Sequence, residues 1–398
     1  MSTRLTSVIH GLACTIVLLC VAVPALPASV PAHSDATRGL DLAKMSKEEV
    51  ASAEAFAQSF LEQMTTERQE LALEAFDLEG ILETTFDGIG SEAESAQMRD
   101  GARGPMRQSF LHVLTVLGKQ ESKLKRLVMV NGQLRARYRF NGDNGITFLD
   151  LEMARRGDGW TFRDLHNLSY GLSSLDEMRS MAILLHAKSS TGLLARMFGT
   201  DAISSEDINN LKQLGLAFQG GKFELALALY EQMPKVMQDS SAMTAIHLQL
   251  LQNGTDENKY IAALEAATAR FPAPKFRMLM VDAHLLRERW KDAIKCLDEA
   301  MIGIERDAVV LTLRASILLM SGAVDEARKS TIEALALEPD CRSVLVGSLD
   351  VYLAANDWSA VAACIRKLEA TGEFEFRGNL VGEIWQEFLT QPESKPWR

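Results

Sequence analysis

The sequence predicts a mainly helical protein: an N-terminal α+β domain followed by an α-solenoid of helical hairpins. Three observations support this prediction. In the C-terminal half, a pattern of helical segments repeats every 34 residues. Between residues 126 and 170, apolar and polar residues alternate with a period of two, which is typical of strands. Aromatic residues make up only 7% of the chain, and the many Ala and Leu residues favour helices.

Residues 1–32 have the composition of a secretory signal peptide. A short positive segment precedes the apolar run LACTIVLLCVAV, and prolines then end that run short of the roughly 20 apolar residues that a spanning helix needs. We expect cleavage near Ala28 or Ala32 and a periplasmic or extracellular protein, with an uncleaved anchor as the alternative. Residues 33–46 are expected to form a flexible linker.

Residues 47–171 are predicted to form the α+β domain. Ser46 followed by Glu49 is a capping box that starts the first helix. Four glycines between residues 88 and 104 are expected to enclose a polar loop before a later helix. The predicted helical segments are 47–76, 71–86 and 105–117, and the predicted strands of a four-stranded antiparallel meander are 126–130, 134–140, 146–155 and 160–170.

The charge pattern predicts the register of the second and third strands. With residues 142–145 as the loop, Arg137 lies opposite Asp150 and Arg135 opposite Glu152, so opposite charges pair on one face. On the other face, Leu149 and Leu151 then meet apolar residues. Both faces agree on one register, and the arginines of the second strand are expected on the outer surface.

Helices followed by a curved meander that ends in the segment GDGWTF resemble the nuclear-transport-factor-two-like or cystatin-like cone. Some enzymes of that group place an Asp or a His inside the cone for proton transfer. Period two places Asp164 and His166 on the face of the inward aromatic residues of the last strand, with Tyr138 as a third polar group of the cavity. The alternative is that this end of the sheet meets solvent or a segment from 172–200.

The C-terminal half contains a repeat. Bulky residues open helical segments at Trp290, Val324 and Trp358, and a small residue follows three positions later in two of them, at Ala293 and Ala327. A 34-residue period with a small residue at a fixed position resembles the tetratricopeptide repeat family. The predicted units are 207–240, 241–273, 274–307, 308–341 and 342–375; residues 172–206 are predicted to be connecting helices, and 376–398 a cap helix and tail.

The resemblance to tetratricopeptide repeats implies a stack that binds a peptide or a partner helix in a groove. Polar positions of the first helices nominate groove residues; the alternative is a solvated face that binds nothing. The nominated residues are Arg277, His284, Arg314 and Asp350.

Composition and motifs exclude several classes of function. A net charge of −11 argues against nucleic-acid binding. Phosphate-binding loops, dinucleotide fingerprints and paired metal-ligand histidines are absent from the sequence. We therefore predict no catalytic residue, no metal, no cofactor and no disulfide framework. The predicted function is that of an exported adaptor or scaffold that binds another protein. The alternative is a cone domain that binds or transforms a small molecule, with the repeats as a positioning module.

Overall fold

The structure is a computed structural model that describes residues 42–66, 68–142, 145–186, 204–254, 256–271, 276, 278–304 and 306–398. The predicted signal peptide lies outside these residues. The chain divides into two compact units, one up to Leu279 and one from Met280 to Arg398. The predicted repeat array is thus divided, since its first two hairpins belong to the same unit as the sheet.

The first unit contains helices α1 (Lys47–Thr65), α2 (Gln69–Glu74), α3 (Leu78–Phe86), α4 (Glu92–Gly118), α5 (Ser174–His186), α6 (Ser205–Gln219), α7 (Phe223–Glu231), α8 (Lys235–Gln238), α9 (Ser241–Gln252) and α10 (Glu257–Arg270). Its strands are β1 (Glu121–Val130), β2 (Gln133–Gly142), β3 (Gly145–Arg156), β4 (Gly159–Asn167) and β5 (Leu172–Ser173).

The second unit contains helices α11 (Met280–Leu286), α12 (Trp290–Ile304), α13 (Ala308–Met320), α14 (Val324–Leu337), α15 (Arg342–Ala354), α16 (Trp358–Ala370) and α17 (Glu383–Thr390). Short 3-10 helices cover Leu42–Lys44 and Pro392–Trp397. Among the described helices, none is long and apolar enough to cross a membrane.

Helix caps set the boundaries of the N-terminal helices. The predicted capping box at Ser46 and Glu49 is confirmed, with reciprocal hydrogen bonds of 3.0 and 3.1 Å. A second capping box, at Ser91 and Glu94, starts α4 at residue 92. The predicted polar loop before residue 105 is therefore wrong, because two of its glycines lie inside this helix.

The segment 71–86 is two helices rather than the single helix predicted. Phe76 forms an isolated bridge with Phe162 of β4, and the Asp77 N–H donates to the Phe162 carbonyl at 2.9 Å. The Asp77 side chain then accepts from the Gly80 N–H and caps α3. Backbone groups engaged with the sheet cannot continue a helical ladder, so the helix ends before Phe76.

The sheet is an antiparallel meander with strand order β1-β2-β3-β4-β5. The predicted register of β2 against β3 is confirmed: Arg137 pairs with Asp150, and Arg135 with Glu152. The prediction of four strands missed β5, a two-residue strand that pairs with the end of β4 at Asn167.

One face of the sheet packs on helices through aromatic rings. Phe162 lies 4.9 to 5.4 Å, centroid to centroid, from the rings of Phe56, Phe60 and Phe76. Tyr138 is fully buried on this face, and its hydroxyl donates to the Ala57 carbonyl of α1 at 2.9 Å. These rings fill the interior that the sequence assigned to a cavity.

The opposite face carries the arginines of β2, and it is buried as well. Arg135, Arg137 and Arg139 are 7%, 5% and 1% exposed, so their predicted place on an outer surface is wrong. Arg137 donates Nε and Nη2 to the two carboxylate oxygens of Asp150 at 2.7 and 2.8 Å. A buried charge requires such a partner because desolvation is costly.

Hairpins follow the sheet within the first unit. Helices α6 and α7 contact each other, as do α9 and α10. Tyr170, fully buried after β4, joins this helical part to the sheet. Its hydroxyl accepts from Gln249 Nε2 of α9 at 3.2 Å, and its carbonyl accepts from the Phe276 N–H at 3.0 Å.

The helices of the second unit keep the predicted period. Helices α12, α14 and α16 begin 34 residues apart, and so do α13 and α15. The small residues Ala293 and Ala327 are fully buried where their helices pack. At Gly347 of α15, an added Cβ would lie 2.3 Å from Thr312 Cγ2 of α13, so the two first helices approach closely there.

The C-terminal segment covers the last hairpin. Phe388 of α17 is fully buried against Trp358 and Trp397. The Trp397 indole N–H donates to both carboxylate oxygens of Glu369 at 2.9 Å. No disulfide joins the described cysteines Cys296, Cys341 and Cys364.

We predict that Arg137→Leu lowers the free energy of unfolding by about 3–5 kcal/mol, because Asp150 then keeps a buried charge without its partner. Replacing both residues by leucine is expected to recover most of this loss. Denaturant unfolding of the full chain measures both values. Equal losses in the single and double variants would contradict the interpretation of the pair.

We also predict that Ala327→Leu destabilises the chain by about 1–3 kcal/mol, because the fully buried alanine leaves no room between packed helices. Ala336→Leu, an exposed position of the same helix, is the control and is expected to change stability by about 0.5 kcal/mol or less. Thermal unfolding of both variants distinguishes tight helix packing from a general effect on α14.

Candidate functional site

A bulge in β4 decides where the predicted polar residues lie. Phe162 pairs with Met153, but Asp164 pairs with Glu152, so Arg163 is an extra residue. A bulge shifts the alternation of side chains by one position. Asp164 and His166 therefore lie on the face opposite Phe162 and Tyr138, and the prediction of one shared face is wrong.

The bulge brings Asp164 and His166 onto the face of the buried arginines, which we call the polar face. Glu152 is opposite Asp164, and Asp150 is opposite His166. Most of these side chains are less than a tenth exposed. The polar face comprises Arg135, Arg137, Arg139, Asp150, Glu152, Asp164 and His166.

Hydrogen bonds from β5 and the start of α5 fix the carboxylate of Asp164. Its Oδ1 accepts from the backbone N–H of Leu165 at 2.7 Å and of Leu175 at 2.9 Å. Its Oδ2 accepts from the Ser173 hydroxyl at 2.5 Å. Burial raises the pKa of the Asp164 carboxyl, while His166 and these hydrogen bonds act to lower it.

His166 points at two carboxylates. Its Nε2 lies 3.0 Å from Asp164 Oδ2 and 3.5 Å from Glu152 Oε2. The nitrogen is buried, and neither contact has the alignment of a hydrogen bond. Glu152, Asp164 and His166 each offer one ligand atom, and these atoms lie within 4.8 Å of one another. An imidazole and two carboxylates in this arrangement can exchange a proton or hold a metal ion.

The sequence prediction missed Glu152 as a member of this cluster. It was assigned to an outer charge pair with Arg135, whose Nη2 is in fact 3.9 Å from Glu152 Oε2 and instead donates to Gln133 at 2.9 Å. Only the pairing of β3 with β4 brings Glu152 to His166. The spacing of histidines along the sequence gives no signal for a site whose residues come from two paired strands.

The groove residues nominated from the repeats have different surroundings. Arg277 lies outside the described residues. His284 is half-buried on α11, and Asp350 is exposed on α15. Arg314 donates to Asp298 of α12 and to Ser330 of α14, both at 2.9 Å, so it links three helices of the second unit.

A groove of about 690 Å³ lies at the ends of the two hairpins of the first unit. Its apolar residues come from α7 and α9, and Leu225 is 52% exposed at its edge. Charged residues of both signs line the groove as well. The lining includes Lys222, Phe223, Glu224, Leu225, Leu227, Leu250, Leu251, Asp256 and Lys259.

Comparisons with known protein families, with curated proteins and with solved structures find no match to this chain.

Asp282 on α11 is a buried carboxyl that sequence reasoning also missed. It is 5% exposed, and neither carboxylate oxygen has a hydrogen-bond partner within the described part of the chain. Desolvation raises its pKa from 3.8 to about 8. A carboxyl in this environment stays protonated at neutral pH, because its charged form would lack both water and a partner.

The burial of Asp282 predicts that the free energy of unfolding depends on pH. Above about pH 4 the unfolded chain releases the Asp282 proton, whereas the folded chain keeps it until about pH 8. The free energy of unfolding therefore falls as pH rises between these values, by up to about 1.4 kcal/mol per pH unit. Below about pH 4, Asp282 is protonated in both the folded and the unfolded chain, and its burial no longer makes the free energy of unfolding depend on pH.

We predict that Asp282→Asn, which cannot ionise, gains stability relative to the wild type as pH rises from about 5 to 8. Denaturant unfolding at both pH values measures the difference. Asp158→Asn in the exposed turn between β3 and β4 is the control, and its difference from the wild type is expected to stay constant. A constant difference for Asp282→Asn would rule out the raised pKa.

Proposed function

We propose that this protein is a scaffold of tetratricopeptide-type helical hairpins that binds another protein. The spacing of helix starts supports the proposal: α12, α14 and α16 begin at intervals of 34 residues. The close approach of α13 and α15 at Gly347 supports stacking of successive hairpins into a solenoid. Stacked hairpins offer extended surfaces that are suited to protein recognition.

The observation that most favours binding is the groove at Leu225. Its volume of about 690 Å³ is in the range of roughly 300–1,000 Å³ that is usual for ligand sites. The half-exposed Leu225, the partly buried Phe223 and charged residues of both signs line this groove. Protein interfaces commonly combine apolar and charged residues in this way.

This arrangement indicates the chemistry of the partner. An apolar side chain inserted between α7 and α9 would remove Leu225 from water, which is the main source of affinity at such sites. Lys222 and Lys259 can pair with acidic groups of the partner, and Glu224 with a basic group. We therefore propose a peptide segment with one apolar anchor and flanking charges.

We further propose that the protein acts outside the cytoplasm, in the periplasm or extracellularly, with its partner in the cell envelope. The basis is the signal-like composition of residues 1–32. A second candidate function is acid–base chemistry or small-molecule binding at the sheet. The 3.0 Å contact between His166 and Asp164 favours this candidate.

The test compares glutamate substitutions at two aliphatic residues of similar exposure, Leu225 and Ile332. Leu225→Glu, in the groove, is expected to weaken partner retention at least tenfold, because a charge replaces the apolar side chain that the partner's anchor would contact. Ile332→Glu, 50% exposed on α14 and outside the groove, is expected to retain the partner. Quantitative mass spectrometry of proteins captured by each full-length chain measures retention.

Photo-crosslinking from the same two positions provides the second readout. A crosslinker at position 225 is expected to give a product that one at position 332 does not give. If both positions give the same products, or if Leu225→Glu retains every protein that the wild type retains, the groove is not the binding site.

A further inference from the structure

We propose that Glu152, Asp164 and His166 bind one divalent transition-metal ion on the polar face of the sheet. The three side chains come from two neighbouring strands, β3 and β4, and the bulge at Arg163 places them together. This inference is independent of the protein-binding groove, which lies on other elements.

The distances between the donor atoms fit a shared metal ion. With metal–ligand bonds of about 2.0–2.2 Å, neighbouring ligand atoms of tetrahedral or octahedral sites lie about 2.8–3.6 Å apart. His166 Nε2 is 3.0 Å from Asp164 Oδ2 and 3.5 Å from Glu152 Oε2. Both distances lie within that interval, and all three donor atoms lie within 4.8 Å of one another.

His166 is the observation that points to a ligand rather than to an ordinary ion pair. Its Nε2 is buried and has no aligned hydrogen bond, although two carboxylates lie within 3.5 Å. A protonated imidazole would normally direct an N–H at one carboxylate oxygen. An Nε2 atom that lies within 3.5 Å of two carboxylate oxygens but is hydrogen-bonded to neither can serve as a metal ligand.

The arginines of the polar face limit the negative charge that is available to a cation. Arg137 donates to both oxygens of Asp150. Arg135 approaches Glu152 only to 3.9 Å, and the same Nη2 donates to Gln133. The polar face has three arginines and three carboxylates, so the proposed ion would be held by its bonds to the donor atoms rather than by an excess of negative charge.

The supporting hydrogen bonds resemble those of built metal sites. Ser173 and the backbone N–H groups of Leu165 and Leu175 orient the carboxylate of Asp164. Such outer contacts hold the ligands in position before the ion arrives. The His166 side chain is 16% exposed, although its Nε2 atom is buried.

The donor set indicates the class of metal. One imidazole and two carboxylates suit Zn²⁺, Fe²⁺ or Mn²⁺ better than the ions that prefer thiolates. Three protein ligands leave at least one coordination position for water or a substrate atom. The site therefore has the composition of a centre that could activate water, and Zn²⁺ is the probe that we would use first.

The experiment titrates the chelator-treated full-length chain with Zn²⁺ by calorimetry. We expect one equivalent to bind, and we expect His166→Ala and Glu152→Gln each to weaken binding at least tenfold. His112→Ala, an exposed position on α4, is the matched control and is expected to bind like the wild type. Titration with Co²⁺ reports whether the free thiols contribute, because thiolate ligands give a charge-transfer band.

A second readout separates binding from folding defects. Zn²⁺ is expected to raise the thermal unfolding midpoint of the wild type and of His112→Ala, but not that of Glu152→Gln, which conserves the shape of the side chain. Failure of the wild type to bind one equivalent overturns the proposal. Undiminished binding by His166→Ala, or a Co²⁺ spectrum dominated by thiolate, overturns it as well.

Discussion

The N-terminal part of this protein depends on a sheet that is buried on both faces. One face is apolar and packs aromatic rings against α1, whereas the other carries arginines and carboxylates away from water. Burial of charge is tolerated only where partners are close. The pairing of Arg137 with Asp150 meets this requirement across β2 and β3, and it does so only in the observed register.

The bulge at Arg163 also serves the requirement that buried charged groups have partners close by. Without it, Asp164 and His166 would enter the aromatic face, where neither Glu152 nor Ser173 could reach them. With it, Phe162 stays in the aromatic core while the next residues turn to the polar face. The backbone of Phe162 also pairs with the segment between α2 and α3, so one residue links the helices, the core and the polar face.

In the helical regions the governing constraint is close approach of helices. Ala293 and Ala327 are small and fully buried, and a Cβ added at Gly347 would collide with Thr312. Tyr170 connects the sheet to the helical part of the first unit, because its ring and hydroxyl contact segments more than 70 residues away in sequence. The helical part of this unit is therefore packed on the sheet rather than connected only by the chain.

The groove at Leu225 and the cluster at His166 differ in chemistry. The groove has an exposed apolar edge, which suits a protein segment that is released again. The cluster is mostly buried and rich in charge, which suits a small ion. The partner and the metal ion that we propose would therefore bind to different elements of the first unit.

The sequence by itself determined the features that depend on local or periodic patterns. The capping box at Ser46, the register of β2 on β3 and the 34-residue spacing of helices are of this kind, because each depends on residue types at fixed separations. The sequence prediction of the face on which Asp164 and His166 lie was wrong, because the alternation of β4 is interrupted by the extra residue Arg163. A bulge has no sequence signal comparable to that of a turn. Only the tertiary structure decided that the arginines of β2 are buried and that Glu152 meets His166. Those outcomes depend on what covers a face and which strands pair, and neither is encoded in a single segment.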